Sequence, residues 1–315
     1  MNKYIQSEIE LFEKKYFKEI ESGVDLIDKI VKYLCKKKGK LLRPKLALYT
    51  AKILGDVNNK TYTVSSLVEM IHVATLIHDD IVDESSLRRG WPTIGRVWKN
   101  KISVLIGDYL FSKALTATVK LENLESIKIL SNASDRLSKG EIFQMQQAKK
   151  KHMSEEMYYS MIKDKTASLF SATCELSAMT ASNNKLDIQL FKKFGESFGA
   201  AYQIKDDIND IVGKTEELGK PSNFDLKRNM LTLPFIYSIN KISRNKRGSF
   251  LRDLKSLSKR NKIQEIISIV DEYNGLNYAN QILDKYLEDS KKSISKFSDK
   301  DVLIKFIDDI FYEKK

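Results

Sequence analysis

Between Glu69 and Arg89 the chain reads EMIHVATLIHDDIVDESSLRR. Leu67, Met70, Ile71, Ala74, Ile77 and Ile81 recur at three- and four-residue steps, the period of a helix with one apolar face. The pattern predicts a helix over 61–84. Asp79, Asp80 and Asp83 stand in DDxxD spacing. At 3.6 residues per turn Asp79 and Asp83 lie one above the other, and Asp80 sits beside them. His72 falls on nearly the same stripe, and Arg88 and Arg89 follow the helix end. Clustered carboxylates repel one another unless a cation holds them, and an all-oxygen donor set suits a hard ion such as Mg²⁺. Taken alone, the stretch reads equally as a solvated acidic helix end.

A second copy of the spacing lies far downstream. Tyr202–Asp210 reads YQIKDDIND, with Asp206, Asp207 and Asp210 repeating DDxxD and Gln203 three residues before Asp206. Phe191, Phe194, Phe198, Ala201 and Ile208 make the flanking helix apolar on its other side. Two such helices facing each other would make a cage for several divalent ions, and a diphosphate is the natural guest.

Composition narrows the fold class. Gly (13) and Pro (4) are scarce in 315 residues, which favours long helices over strand-and-turn folds. The hydrophobic share of 42% is enough for a sizeable core. No run of eighteen apolar residues occurs, so no transmembrane helix is expected. The N-terminal stretch carries Glu early and reads as an amphipathic helix, not a signal peptide. Cys35 and Cys174 form no CxxC pair, which argues against a disulfide or zinc framework and for a reducing cytoplasm. Net charge is +12, but the lysines are spread along the chain instead of gathered into one stripe, so no nucleic-acid partner is expected. A diffuse positive field instead helps gather anionic substrates.

The rest of the chain reads as further helices with no separating linker, one domain over 1–315. Residues 1–38 are one or two helices. Gly39 suits a helix C-cap and Pro44 the first turn of the next helix, over 44–55. Lys40 and Arg43 then project near a helix N-terminus, where a phosphate binds well, although basic residues beside a turn are usually just solvated. Residues 87–95 form a loop. Residues 97–119 look like a buried helix, and 122–152 and 154–182 like further helices, the last holding Lys165 and Thr166. Helix 187–212 carries the second aspartate cluster, a polar loop runs to Asn229, and a helix starts at Thr232. The basic segment 244–262 reads as a surface connection, and 263–315 as two amphipathic helices.

The blocks GKLLRP (39–44), IHVATLIHDDIVDESSLRRGWPT (71–93), GDYLFSKAL (107–115), KTASLF (165–170), YQIKDDINDIVG (202–213) and GKPSNFDLKRNMLTLP (219–234) occur in this order. Together they resemble the trans-isoprenyl diphosphate synthases, or polyprenyl synthetases. That resemblance implies an all-α fold, the isoprenoid-synthase helical bundle around a deep central cavity, and a homodimer. It implies that Asp79, Asp80, Asp83, Asp206 and Asp207 hold Mg²⁺, three ions with substrate bound, against an allylic diphosphate, with Asp210 supporting the second cluster. Arg88, Lys165, Thr166, Gln203 and Lys220 match positions around the allylic substrate. Lys40, Arg43, His72 and Arg89 match the isopentenyl diphosphate site. The reaction implied is a prenyl transfer in which the allylic C–O bond ionises, isopentenyl diphosphate attacks the cation, and a proton leaves. His78, His152 and the tail lysines Lys314 and Lys315 carry no expected role.

One departure stands out. Relatives carry a lysine two residues before the threonine of TLP, where this chain has Met230. Lys227 or Arg228 is positioned to compensate, or the chain is a weakly active partner subunit of a heteromeric synthase. A terpene cyclase would not need Lys40, Arg43, His72 and Arg89. The helix also bears on product length. Thr75 lies one turn below Asp79 with Ala74 beside it, and both are small where an aromatic ring would close a tunnel. A product of C30 or longer is expected, delivered to a membrane; a C15–C20 product is the alternative.

Overall fold

A computed structural model describes residues 3–37, 39–88, 90–213 and 224–312. Arg89, Lys220, Lys314 and Lys315 lie outside the described residues. Within them the architecture is all-α apart from one two-stranded ribbon. By Cα packing the chain falls into two compact units, each assembled from non-contiguous segments. The first comprises 1–132, 170–195 and 291–315, and the second 133–169 and 196–290.

The first unit begins with α1 (Gln6–Ile20) and α2 (Asp25–Lys36). The residue capping α2 is Lys37, so the helix stops two residues before Gly39, earlier than the sequence suggested. Leu41 turns left-handed (φ 51°) and starts α3 (Leu42–Leu54), which places Arg43 and Pro44 in its first turn. Next comes α4 (Asn59–Val82). Asn58 caps it by accepting from the N–H groups of Lys60 (2.9 Å) and Thr61 (3.2 Å). Such a cap satisfies two of the four orphan donors of a helix start. Leu67, Met70, Ile71, Ala74 and Ile77 are buried as the periodicity predicts.

After α4 the chain does not run as a plain loop. Leu87–Arg88 (β1) and Trp91–Pro92 (β2) pair antiparallel, and a short helix, α5 (Ile94–Trp98), follows. Then comes α6 (Asn100–Val119), which packs mainly on α4. Gly107 is what lets it do so: a Cβ there would overlap the imidazole of His78. This gives the GDY block a steric reason and His78 a packing role. The expectation of a buried 97–119 helix fails in part. Leu105 (62%), Leu115 (50%) and Val119 (65%) remain exposed on α6. The helix is 20 residues long with mean hydropathy 1.3, enough by length and composition alone to cross a bilayer, and 39% of it is buried in the fold. The same unit closes with aromatic contacts to the last helix, α16 (Lys300–Phe311): Tyr49 lies 4.9 Å from Phe306, ring centre to ring centre.

In the second unit lies most of α7 (Leu124–Lys150) and all of α8 (Glu155–Ile162). The predicted single helix over 154–182 is interrupted. Residues Lys163–Ala167 form a π-helical turn between α8 and α9 (Ser168–Ala181). The second aspartate cluster ends α10 (Lys185–Val212), and a turn of helix, α11, spans Phe224–Lys227. Thr232 stands just before α12 (Leu233–Lys241), with proline in its first turn. The basic segment after it is no surface connection: it is α13 (Arg247–Lys259), which buries Leu254 and Leu257 while Arg252 and Lys259 stay exposed and Arg247 and Lys255 are half-buried. The region 263–315 holds three helices, not two: α14 (Ile263–Glu272), α15 (Gly275–Ser293) and α16.

Candidate active site

The first aspartate cluster forms where α4 ends. The N–H of Asp83 donates to the carbonyl of Asp79 (2.7 Å), so the helical turn carries on through Asp83 and keeps the two aspartates in register. Asp80 points differently. Its Oδ1 and Oδ2 accept from Arg88 Nε at 2.8 and 3.0 Å. The β1–β2 ribbon folds Arg88 back over the helix it has just left. Burial pushes the Asp80 carboxyl above the usual carboxylate range, and the Arg88 charge offsets this only in part. Thr75, one turn before Asp79, donates its hydroxyl to the carbonyl of His72 (2.8 Å), which leaves its methyl as the outward group. Ala74 is buried at 1% exposure, whereas Thr75 is partly exposed.

Beside this helix face, α1, α2, α4 and the ribbon enclose a cavity of about 260 Å³, lined among others by Tyr16, Tyr33, His72, Asp80, Arg88 and Thr93. The first unit also contains Arg43, whose guanidinium lies 4.1 Å over the Phe170 ring. Lys40 is exposed on the approach to α3.

The second unit gathers a different set. Lys165 Nζ bonds Glu141 (2.7 Å) and the side-chain oxygen of Gln144 (2.6 Å) on α7. Gly140 makes this possible, since a Cβ there would come within 2.5 Å of the Lys165 backbone nitrogen. The π-helical turn adds one residue to the turn that carries Lys165 and Thr166, and such turns recur at functional sites. Thr166 Oγ1 donates to Gln203 Oε1 (2.6 Å), and Gln203 Nε2 donates to Asp207 Oδ1 (2.8 Å). The other oxygen of Asp207 accepts from Tyr158 Oη at 2.6 Å. Asp210 accepts from the backbone N–H of Asp225 (3.2 Å). The three aspartates of this cluster thus differ: Asp206 is exposed, whereas Asp207 and Asp210 are 3% and 2% exposed. Burial, with the nearby charge of Asp225 and then of Asp206, pushes the Asp207 carboxyl up to about 8.

Tyr158, and the link from Asp225 to this cluster, were missed in the sequence. Glu141 and Gln144 on α7 likewise carry no role in the sequence reading. Their spacing, three apart on one helix face, was the available signal.

These donors fit a hard divalent cation. All are carboxylate oxygens, and the crowding of Asp206, Asp207 and Asp225 is an excess of negative charge that such an ion would relieve. Among the described residues no three His, Cys, Asp or Glu side chains converge into a ready-made metal cage. Magnesium binds in that manner, through one or two carboxylates completed by substrate oxygens.

Comparison with known proteins agrees. The polyprenyl synthetase family model matches residues 24–272. The chain belongs to the polyprenyl synthetase family and is a prenyltransferase by that membership. It is 31% identical over 276 residues to an octaprenyl diphosphate synthase of Haemophilus influenzae, covering 88% of this chain and 83% of the relative. It is 30% identical over 287 residues to heptaprenyl diphosphate synthase component 2 of Bacillus subtilis, covering 90% and 81%. Among solved structures, a polyprenyl synthase from Caulobacter crescentus CB15, complexed with calcium and isoprenyl diphosphate, superposes with a TM-score of 0.89 at 26% identity, covering 99% of this chain and 96% of that one.

Proposed function

We propose that the protein condenses isopentenyl diphosphate with an allylic diphosphate and makes an all-trans polyprenyl diphosphate of C30 or longer. The observation that carries this reading is the pair of DDxxD clusters with Lys165, Thr166 and Gln203 in place beside one of them. The two curated relatives described above bear names of long-chain synthases. The small, partly exposed side chain of Thr75 leaves room for a growing tail, while Ala74 beside it is buried.

Asp79, Asp80 and Asp83 at the first cluster and Asp206 and Asp207 at the second, supported by Asp210, would hold magnesium with substrate oxygens, and the ion would supply the Lewis acidity that lets diphosphate leave. Arg88 beside the first cluster and Lys165 in the second unit would each add a cationic contact to a diphosphate. Their present partners, Asp80, Glu141 and Gln144, hold them extended until a diphosphate competes for them. Thr166 and Gln203 place oxygen atoms where a cation would form. Lys40, Arg43, His72 and Arg89 serve isopentenyl diphosphate, and Lys220 the allylic substrate. Of the two cations near Met230, Lys227 is exposed and bonded to Asn261 (2.8 Å). Arg228 is half-buried, so it is the better substitute for the family lysine.

Both compact units act as one catalytic domain, since each is interleaved with the other along the chain. The exposed apolar face of α6 supports a homodimer. Both cysteines are free, consistent with work in a reducing cytoplasm. The apolar product then partitions into a membrane.

A second reading has one specific support: the Bacillus subtilis relative is named as one component of a synthase. Here the chain would need another polypeptide to elongate. One incubation separates the readings. The purified chain is given labelled isopentenyl diphosphate, farnesyl diphosphate and Mg²⁺, and the dephosphorylated products are resolved by chromatography. A ladder ending at one long chain is expected. Retention of diphosphate without any elongation would favour the two-component reading.

A further inference from the structure

We propose that Tyr158 is a positioning residue that, acting through Asp207 and Gln203, fixes which way the Thr166 hydroxyl points. The inference rests on the prenyl-transfer reading above.

The four side chains form one directional chain. Tyr158 Oη donates to Asp207 Oδ2 (2.6 Å), Gln203 Nε2 donates to Asp207 Oδ1 (2.8 Å), and Thr166 Oγ1 donates to Gln203 Oε1 (2.6 Å). Tyr158 is fully buried on α8, and Asp207 is 3% exposed. A buried polar group without a partner costs free energy, so each link constrains the next. Gln203 directs its NH₂ at Asp207 Oδ1 (2.8 Å), and once the carboxyl is ionised, above about pH 8 in metal-free protein or beside a bound cation, that oxygen can only accept. That orients the amide oxygen toward Thr166. Facing a carbonyl, the threonine hydroxyl can only donate. Its proton is thereby committed to Gln203, and its lone pairs are what remain for a substrate.

The chemistry needs this polarity. A developing allylic cation is stabilised by oxygen lone pairs and destabilised by an O–H aimed at it. Tyr158 occupies the second oxygen of Asp207 and so prevents the carboxyl from rotating away from Gln203. The helix supports the arrangement: Ser154 caps α8 by accepting from the Met157 N–H (3.2 Å), one residue before Tyr158. Tyr158 itself touches no reacting atom, and its effect reaches the substrate only through Thr166.

The test is a kinetic cycle on the full-length enzyme. Tyr158→Phe keeps the ring and removes the hydroxyl. Thr166→Val removes the hydroxyl it is argued to orient. For Tyr158→Phe we expect kcat to fall roughly ten- to a hundredfold, the range of one hydrogen bond to a charged group. The KM for both diphosphates and the melting temperature should stay near wild type. In a Thr166→Val background the further loss from Tyr158→Phe should vanish. Asp207→Asn is the second probe, for use if Tyr158→Phe does not fold. Its amide leaves a single accepting oxygen, so Gln203 and Tyr158 cannot both donate to it; kcat should fall, and the part that runs through Thr166 should vanish in a Thr166→Val background, unlike a loss from weakened cation binding. Equal losses from Tyr158→Phe with and without Thr166 would overturn the proposal, as would wild-type kcat in Tyr158→Phe or Asp207→Asn. A loss of kcat matched by a loss of thermal stability would reduce Tyr158 to a structural role and reject it too. Failure of the wild-type enzyme to elongate at all is a separate result, and it counts against the prenyl-transfer reading.

Discussion

Asp207 is a carboxyl group held where its charge is unwelcome. Its folded value is about 8 against 3.8 in the unfolded chain. Between those values the folded protein binds the extra proton, so stability falls as pH rises. This contribution is fully present below about pH 4 and is lost by about pH 8. In metal-free protein, urea midpoints should therefore decline across that window, and Asp207→Asn should flatten the decline. A midpoint that holds level in both proteins would show that Asp207 ionises freely in the fold. Excess Mg²⁺ with diphosphate should also flatten it, because a nearby cation favours the ionised form.

At this scale the sequence was informative wherever chemistry demands a particular side chain at a particular spacing. Both DDxxD clusters and Gln203 stand out for that reason, whereas Lys165 and Thr166 were marked only by the family resemblance. Tyr158 was not. A tyrosine on the apolar face of a short helix looks like core, and its partner lies 49 residues away in the chain. The division of labour among Asp206, Asp207 and Asp210 was equally invisible, because adjacent aspartates look alike until burial separates them.

Among the elements, α4 does the most: it carries Thr75, the first cluster and the close packing of His78 on Gly107. Ala74 and Thr75 looked equivalent in the sequence, but the fold separates them. Ala74 is sealed at 1% exposure, so Ala74→Phe would force a ring into packed space and cost about 1–3 kcal/mol of stability. Thr75 is partly open, so Thr75→Phe tests the tunnel without that penalty. Its product should be shorter by several isoprene units, with the melting temperature within a few degrees of wild type; chromatography of the dephosphorylated chains reads it. An unchanged product would place the growing tail elsewhere.

Two elements escape the sequence pattern for different physical reasons. In α13 the basic side chains mask an apolar stripe, Leu254 and Leu257, that is short but fully used. In the segment Lys163–Ala167 a π-helical turn interrupts the helix. Shifting a backbone hydrogen bond by one residue leaves no trace in composition or periodicity.

For the whole molecule, the exposed apolar face of α6 is a feature left uncovered by the described residues. Leu105, Leu115 and Val119 are too many large apolar groups on one helix to be left in water without consequence. If the face joins two copies, Leu105→Glu should convert a dimer into a monomer in light-scattering or sedimentation measurements at micromolar concentration. Wild-type protein that is already monomeric would redirect this face toward a second component or a lipid surface.

The interleaving of the two units also bears on how the chain is born. The unit that carries α4 is not complete until 291–315 has been made, because Phe306 of α16 packs on Tyr49 and Phe297 on Phe191. At about 5–20 residues per second, synthesis from Val82 to Phe311 takes on the order of ten to fifty seconds. Throughout that interval the nascent chain has the aspartates of its first cluster but not the helix whose Phe306 packs on Tyr49. The ribosome-bound protein is therefore a natural client for chaperones that hold exposed rings, and a message that stops short of α16 yields a chain whose first unit cannot close.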